Sequence, residues 1–320
     1  MDLVLDFERP IAELRHQIDA LRDVHAGGHE VDIQASITHL EGELAELQTR
    51  IFSRLTPWQR TQLARHTGRP FTLDYIEGLC TEWTELHGDR GGFDDHAIVC
   101  GLARFRGQSV VVIGNQKGRK TRENLVRNFG MARPEGYRKA LRVMKLANDF
   151  GLPILTFVDT PGAYPGVEAE ANGQAEAIAR NIMEMARLNV PVVTVIAGEG
   201  GSGGALAIAV ANRVLMLENG VYSVISPEGC AAILWRDRAE APRAAEALGI
   251  TARDCLKLGV IDELIEEPIG GAHRHRAATI QRVGDAIASH LNALKDLSPE
   301  QIRADREQRF RKLGRFMEGA

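Results

Sequence analysis

Apolar residues recur at helical spacing through the first 56 positions. Ile11, Leu14, Ile18 and Leu21 form one stripe, and Leu40, Leu44, Leu47, Ile51 and Leu55 form another. Recurrence every three to four residues puts side chains on one face of a helix. The intervening His25-Ala-Gly-Gly-His29 run breaks the pattern, so residues 1–56 are predicted to form a helical hairpin, a surface for packing or for a partner.

From residue 57 the period shortens. Residues 97–105 and 109–114 read as two strands joined at Arg106-Gly107-Gln108, hence a hairpin. A helix is predicted over 134–150, followed by PILTFVDTPGAYPG (153–166), a helix over 168–189 and PVVTVIAGEGGSGG (191–204). Strands over 213–217 and 222–225 come before the SPEGCAAILW segment. From about residue 271 the chain is charged and helical again, ending in an amphipathic stretch over 300–317 of the kind that faces solvent or a partner. Three segments result: the hairpin (1–56), an α/β body (57–270) and a helical tail (271–320).

The two strand-plus-glycine units repeat each other. Pro153 matches Pro191, Thr156 matches Thr194 and Gly162 matches Gly200, each pair 38 residues apart. Repeated strand, glycine turn and helix units stack, each burying its apolar face on the next.

Composition narrows the class. With 39 basic and 43 acidic residues the net charge is −4, which gives no electrostatic case for a nucleic-acid binder. Cys80, Cys100, Cys230 and Cys255 lie far apart without a C-x-x-C pair, the spacing of free thiols rather than of a zinc site. The acidic start MDLVLDFERP lacks the basic and apolar signature of a signal peptide. The longest apolar run, broken by Asn212 and Arg213, falls short of the ~20 residues that span a bilayer. A cytoplasmic protein without membrane association is expected.

The glycine-rich stretch GEGGSGGALAIAVA (198–211) carries the candidate chemistry. Gly198, Gly200 and Gly203 spell a dinucleotide fingerprint, with Glu218 near where a ribose-binding acid would fall. That fingerprint belongs at the first strand–helix turn of its domain, and here several elements come earlier. Gly200, Ser202 and Gly204 spell a nucleophile elbow, with Asp237, Asp254, His273 and His275 downstream as triad partners. The glycines flanking Ser202 instead suit a turn or helix cap. A third reading needs only glycine itself: without a Cβ, peptide N–H groups at a helix start approach a substrate oxygen closely. Against it stands tight packing of helix on strand, for which glycine is equally suited.

Longer runs go further than these motifs. LARHTGRPFTLDYI (63–76), RNFGMARPEGYRKALRVMKLA (127–147), FVDTPGAYPGVEAE (157–170), GEGGSGGALAIAVANRVLML (198–217) and YSVISPEGCAAILW (222–235) closely resemble the bacterial acetyl-coenzyme A carboxylase carboxyltransferase alpha-subunit family, from the hairpin to GGAHR at 270–274. The resemblance implies a crotonase (ClpP/crotonase) fold, a superhelix of ββα units, in agreement with the 38-residue repeat. It further implies pairing with a beta subunit that carries a zinc ribbon, as an α2β2 heterotetramer. The implied activity is transfer of a carboxyl group from carboxybiotin, borne on the biotin carboxyl carrier protein, to acetyl-CoA, giving malonyl-CoA for fatty acid synthesis. No cofactor is expected in this chain: zinc belongs to the partner, and ATP is used by the biotin carboxylase component.

By motif match, backbone N–H groups of Gly203, Gly204 and Ala205 are expected to hold the biotin ureido oxygen. Gly162, Ala163, Gly200 and Gly201 line the same pocket on this reading. Lys117 and its basic neighbours up to Arg122 are candidates for contacting phosphates or carrier acids, or else form a solvated loop. Arg133, Glu135 and Tyr137 sit in a family motif but also suit a bracing role. Asp159 and Glu199 are expected to orient the glycine turns, and His273 and His275 to lie at the surface.

Overall fold

The computed structural model describes residues 3–26 and 33–314. Helices α1 (Arg9–Ala26) and α2 (Ile33–Phe52) pack through Ile18, Ile33 and Ile37 with Leu14, Leu21, Leu40 and Leu44, as the two stripes require. The Gly27-Gly28-His29 part of the predicted break lies outside the described residues, as do residues 315–317 of the terminal stretch.

The body opens with α3 (Pro57–Ala64), α4 (Thr72–Leu79) and a strand that the pattern did not reveal, β1 (Cys80–Glu85). Thr56 caps α3 reciprocally with Gln59. Strands β2 (Ile98–Phe105) and β3 (Gln108–Asn115) pair antiparallel from Ile98 opposite Asn115 to Phe105 opposite Gln108. Arg106 and Gly107 both have left-handed φ, 46° and 83°, the requirement of a two-residue hairpin turn that follows strand twist.

After α5 (Thr121–Val126) and α6 (Pro134–Asp149) comes β4 (Ile154–Thr160). The single helix predicted over 168–189 is two, α7 (Val167–Ala171) and α8 (Gln174–Arg187), divided at Gly173, whose φ of 82° no helix accommodates. Next are β5 (Val192–Gly201), α9 (Ser202–Leu206), β6 (Arg213–Leu217) and β7 (Val221–Ser223). The chain closes with α10 (Pro227–Leu234), α11 (Ala241–Leu248), α12 (Ala252–Lys257), β8 (Glu263–Ile265), α13 (Arg276–Leu294) and α14 (Pro299–Arg311).

One sheet runs β1-β2-β3-β4-β5-β6-β8, antiparallel up to β3 and parallel beyond. Strand β5 is long enough to serve twice: Val193 to Ile196 pair with β6, and Glu199 to Gly201 pair with β7. The repeat seen in the sequence is the register of the sheet. Ile154 faces Val192, Thr156 faces Thr194 and Val158 faces Ile196. The register then slips, so Thr160 rather than Gly162 stands opposite Gly200.

Alternation along the strands loads both faces. Ile113, Ile154, Val158 and Ile196 meet Tyr137, Val143 and Met144 of α6 and Met185 of α8. Val112, Leu155, Phe157 and Val195 meet Val283, Ile287 and Leu291 of α13. Residues 276–311 are therefore a structural layer and not a solvated tail. Even α14 is anchored, since buried Arg306 donates to the carbonyls of Met185, Leu188 and Val190. Among the described residues no helix is long and apolar enough to cross a membrane.

Inside the sheet the Thr156 and Thr194 hydroxyls lie 2.6 Å apart, both fully buried. Thr156→Val strands its partner's hydroxyl and is expected to cost about 1–3 kcal/mol, whereas replacing both with Val is expected to recover most of that loss. Urea midpoints of the two variants check this; equal losses in the single and double variants would contradict it.

Candidate active site

Strands β4 and β5 end side by side, and their carboxyl ends deliver the turn at 161–166 and the start of α9 to one place. Carboxyl ends of parallel strands are where ligand sites form in open α/β sheets. The two segments meet backbone to backbone. A Cβ on Gly201 would stand 2.1 Å from the Pro161 carbonyl oxygen. One on Gly204 would stand 2.4 Å from the Gly162 carbonyl carbon and 2.5 Å from the Ala163 nitrogen. Gly203 differs, because its Cβ would make only an ordinary contact with Ile178 at 3.5 Å. Glycine is thus required at 201 and 204 by proximity, and at 203 packing imposes no such requirement.

Helix α9 starts at this junction, so its first N–H groups have no acceptor within the helix. Gly204 and Ala205 are buried, while Gly203 is half-buried. On the facing turn, the Gly162 N–H donates to the Thr160 hydroxyl at 3.2 Å, and that hydroxyl donates to the Gly162 carbonyl at 2.6 Å. The Tyr137 hydroxyl reaches toward the Gly204 carbonyl from beneath, at 3.5 Å.

Ser202 is exposed at a φ of 49°, a left-handed residue forced by the change from strand to helix. Gly201, not Ser202, occupies the cap position. Ser202 borders a largely apolar cavity of about 320 Å³ together with Leu206, Tyr222, Cys255 and Arg309. No histidine or carboxylate is among the described residues lining it, so Ser202 lacks the base that a nucleophilic serine requires. The dinucleotide reading fares no better. Glu218 is committed to Arg253 at 3.3 Å and Arg60 at 3.8 Å.

Beneath the turns lies a charged cluster that sequence spacing did not show. Lys117 Nζ sits 2.6 Å from Asp159 and 3.6 Å from Glu199. Arg65 binds Glu199 at 2.6 Å and also pairs with Glu228. Asp159 accepts the Glu199 N–H at 3.0 Å, and a Cβ on Gly198 would stand 2.4 Å from its carboxylate. Burial opposes the charge on Lys117, but Asp159 and Glu199 outweigh it and raise the pKa. Burial likewise opposes the charge on Arg65, which Glu228 and Glu199 restore and push above its ordinary range. Asp159 thus holds the end of β5 through the Glu199 N–H, while the Glu199 carboxylate faces Arg65 and Lys117.

The remaining candidates are placed as follows. Lys117 belongs to this internal cluster and is not a free cation for phosphate, whereas Lys120 and Arg122 are exposed. Arg133 stacks on Tyr164 with its guanidinium carbon 4.6 Å from the ring centre, bracing the 161–166 turn. His275 is exposed, but His273 is not the surface residue expected: its side chain is 3% exposed and pairs with Glu8 at 2.9 Å. The four cysteines are free, with Cys80 raised to about 11 and Cys100 and Cys255 to about 12 by burial.

Comparison with known proteins first fixes the class. The transcarboxylase 12S hexamer core superposes with a TM-score of 0.57 at 22% identity, over 70% of this chain and 42% of its own. One chain of the Pseudomonas malonate decarboxylase MdcD–MdcE heterodimer superposes at 0.56 and 18% identity, over 69% of this chain and 89% of its own. The fold is that of the crotonase-type carboxyltransferases.

The family model for acetyl co-enzyme A carboxylase carboxyltransferase-like proteins matches residues 4–314. The acetyl-coenzyme A carboxylase carboxyl transferase subunit alpha of Syntrophotalea carbinolica is 59% identical over 98% of both chains. That of Thermus thermophilus is 60% identical over 98% of this chain and 99% of its own. The chain belongs to the family of acetyl-CoA carboxylase carboxyltransferase alpha subunits, and it is an enzyme component with a partner subunit.

Removing Lys117 leaves the buried Asp159 carboxylate without its cation, beside a Glu199 that keeps only Arg65. Lys117→Met is expected to cost about 3 kcal/mol, and Lys120→Met at the exposed neighbour less than about 0.5 kcal/mol. Urea unfolding distinguishes them, and similar small losses would place Lys117 in the solvated loop after all.

Proposed function

We propose that this chain, joined to a zinc-ribbon beta subunit as an α2β2 heterotetramer, transfers the carboxyl group of carboxybiotin to acetyl-CoA and yields malonyl-CoA. The biotin arrives on its carrier protein, and ATP is consumed by the separate biotin carboxylase component. The observation that carries this reading is the pair of glycine turns touching at the ends of β4 and β5 in a chain of this family.

The backbone N–H groups of Gly203 and Gly204 stabilise the negative charge that gathers on the ureido oxygen as the N–CO2 bond breaks, whereas Ala205, the fourth residue of α9, turns its N–H to the Gly201 carbonyl in the helix pattern. Each well-placed donor of this kind is worth about 3–4 kcal/mol. The freed ureido nitrogen takes a proton from the acetyl methyl group, and the enolate attacks the released CO2, so the proton and the carboxyl group exchange places. Gly162, Ala163, Gly200 and Gly201 shape the wall around those donors. With the Gly162 N–H held by Thr160, Ala163 is the donor left on the facing turn. Holding both substrates at one subunit interface supplies the proximity that the transfer needs.

Substitutions at the turns separate this role from a purely structural one. In the assembled enzyme, Gly203→Ala keeps its N–H and fits its surroundings, so the rate of malonyl-CoA formation is expected to stay near that of the wild type. Gly204→Ala drives the two turns apart and is expected to lower the rate about 10²-fold. An unchanged rate for Gly204→Ala would make the chain a scaffold for its partner's site.

A further inference from the structure

The glycine turns have a third neighbour. Strand β7 pairs with the end of β5 so that Gly200 faces Tyr222 and Gly201 faces Ser223. A Cβ on Gly200 would stand 2.6 Å from the Tyr222 ring. The chain then crosses to α10 through residues 223–226, which border a recess of about 20 Å³ together with Gly200, Gly201 and Pro161. That is room for about one water and too little for a substrate group, so the crossing is a wall of the site. Its own bonds are local. The Ser223 hydroxyl donates to the Ile225 carbonyl at 2.7 Å, and the Ser226 hydroxyl accepts the Gly229 N–H at 3.1 Å, capping α10. Neither bond reaches β5.

Arg65, at the end of α3, makes that connection. Its Nε donates to Glu199 at 2.6 Å. Its two terminal nitrogens take one Glu228 oxygen each in the first turn of α10, Nη2 at 3.3 Å. Because Glu199 sits between Gly198 and Gly200, a single guanidinium joins the glycine strand to the helix behind the crossing. A planar fork supplies that geometry and an ammonium does not. Burial works against the Glu228 charge, yet its bonds from Arg65 hold the pKa down.

Neither acid depends on Arg65 alone. Lys117 lies 3.6 Å from Glu199 and repels Arg65 across it. Glu228 is one-third exposed and also takes bonds from Ser226 and from its own N–H. Charge balance is thus shared with other groups, whereas the link between β5 and α10 belongs to Arg65.

We propose that Arg65 is a positioning residue for the carboxyl transfer, latching the 223–228 segment to the end of β5 and so fixing the third wall around the backbone donors. This role rests on the glycine turns being the site of that transfer. Arg65 itself touches no substrate.

Steady-state kinetics of malonyl-CoA formation by the assembled enzyme, with kcat and KM resolved, test the latch. Inactivity of the wild type would remove the site and the latch together, whereas an active wild type confines any failure to the latch. Arg65→Gln is expected to lower kcat about 10²-fold and leave KM for acetyl-CoA within about twofold, with the assembly intact. Arg65→Lys keeps the charge without the fork and is expected to recover only part of the loss. Glu228→Gln is expected to lower kcat about tenfold, and adding it to Arg65→Gln to lower kcat no further, because both break one link. Arg65→Lys and Glu228→Gln keep the test open should Arg65→Gln not assemble. Wild-type kcat in assembled Arg65→Gln or Glu228→Gln, multiplying losses in the double variant, or a loss confined to KM would overturn the proposal.

Discussion

The contact between the turn after β4 and the start of α9 is the constraint on which the site depends. Two stretches of backbone lie where a single Cβ at 201 or 204 would collide with a peptide group. Such an approach leaves no side chain between the N–H groups and whatever occupies the pocket. It also explains why the two roles that glycine could play here are not rivals. On the proposed reading, the same close packing that joins helix to strand keeps side chains away from the donors.

The rest of the molecule holds those two turns in place. Parallel pairing of β4 and β5 brings their ends level, and helices on both faces of the sheet keep the strands from sliding. The register slip past Val158 offsets the turns so that Gly201 meets Pro161. Below them, Asp159 holds the Glu199 peptide while Lys117 and Arg65 neutralise the two acids. Arg133 on Tyr164 stiffens the 161–166 turn from the other side. None of these groups needs to touch substrate in order to set the geometry.

Much of this was legible in the chain. The 38-residue spacing of Thr156 and Thr194 is the sheet register itself, because strands of like apolar pattern align when they pair. The hairpin at Arg106-Gly107 could be read because turn chemistry is local. What escaped was long-range or short. Strand β1 has half-exposed polar positions and no clean alternation, and β8 spans three residues. Arg65 and Glu228 are 163 residues apart, and no local pattern pairs them. His273 looked exposed amid GGAHRHR, yet it is buried by Glu8 from the opposite end of the chain. The charge of the last helices suggested a solvated tail, but their few apolar residues close the second face of the sheet.

Gly201 gives the most direct test of the central claim, because its Cα faces the Pro161 carbonyl and it carries no proposed donor. The measurement is the carboxyl-transfer rate of Gly201→Ala in the assembled enzyme, alongside its oligomeric state. If close approach of the two turns creates the site, the rate falls about 10²-fold while the assembly persists. A wild-type rate in an intact assembly would contradict the account.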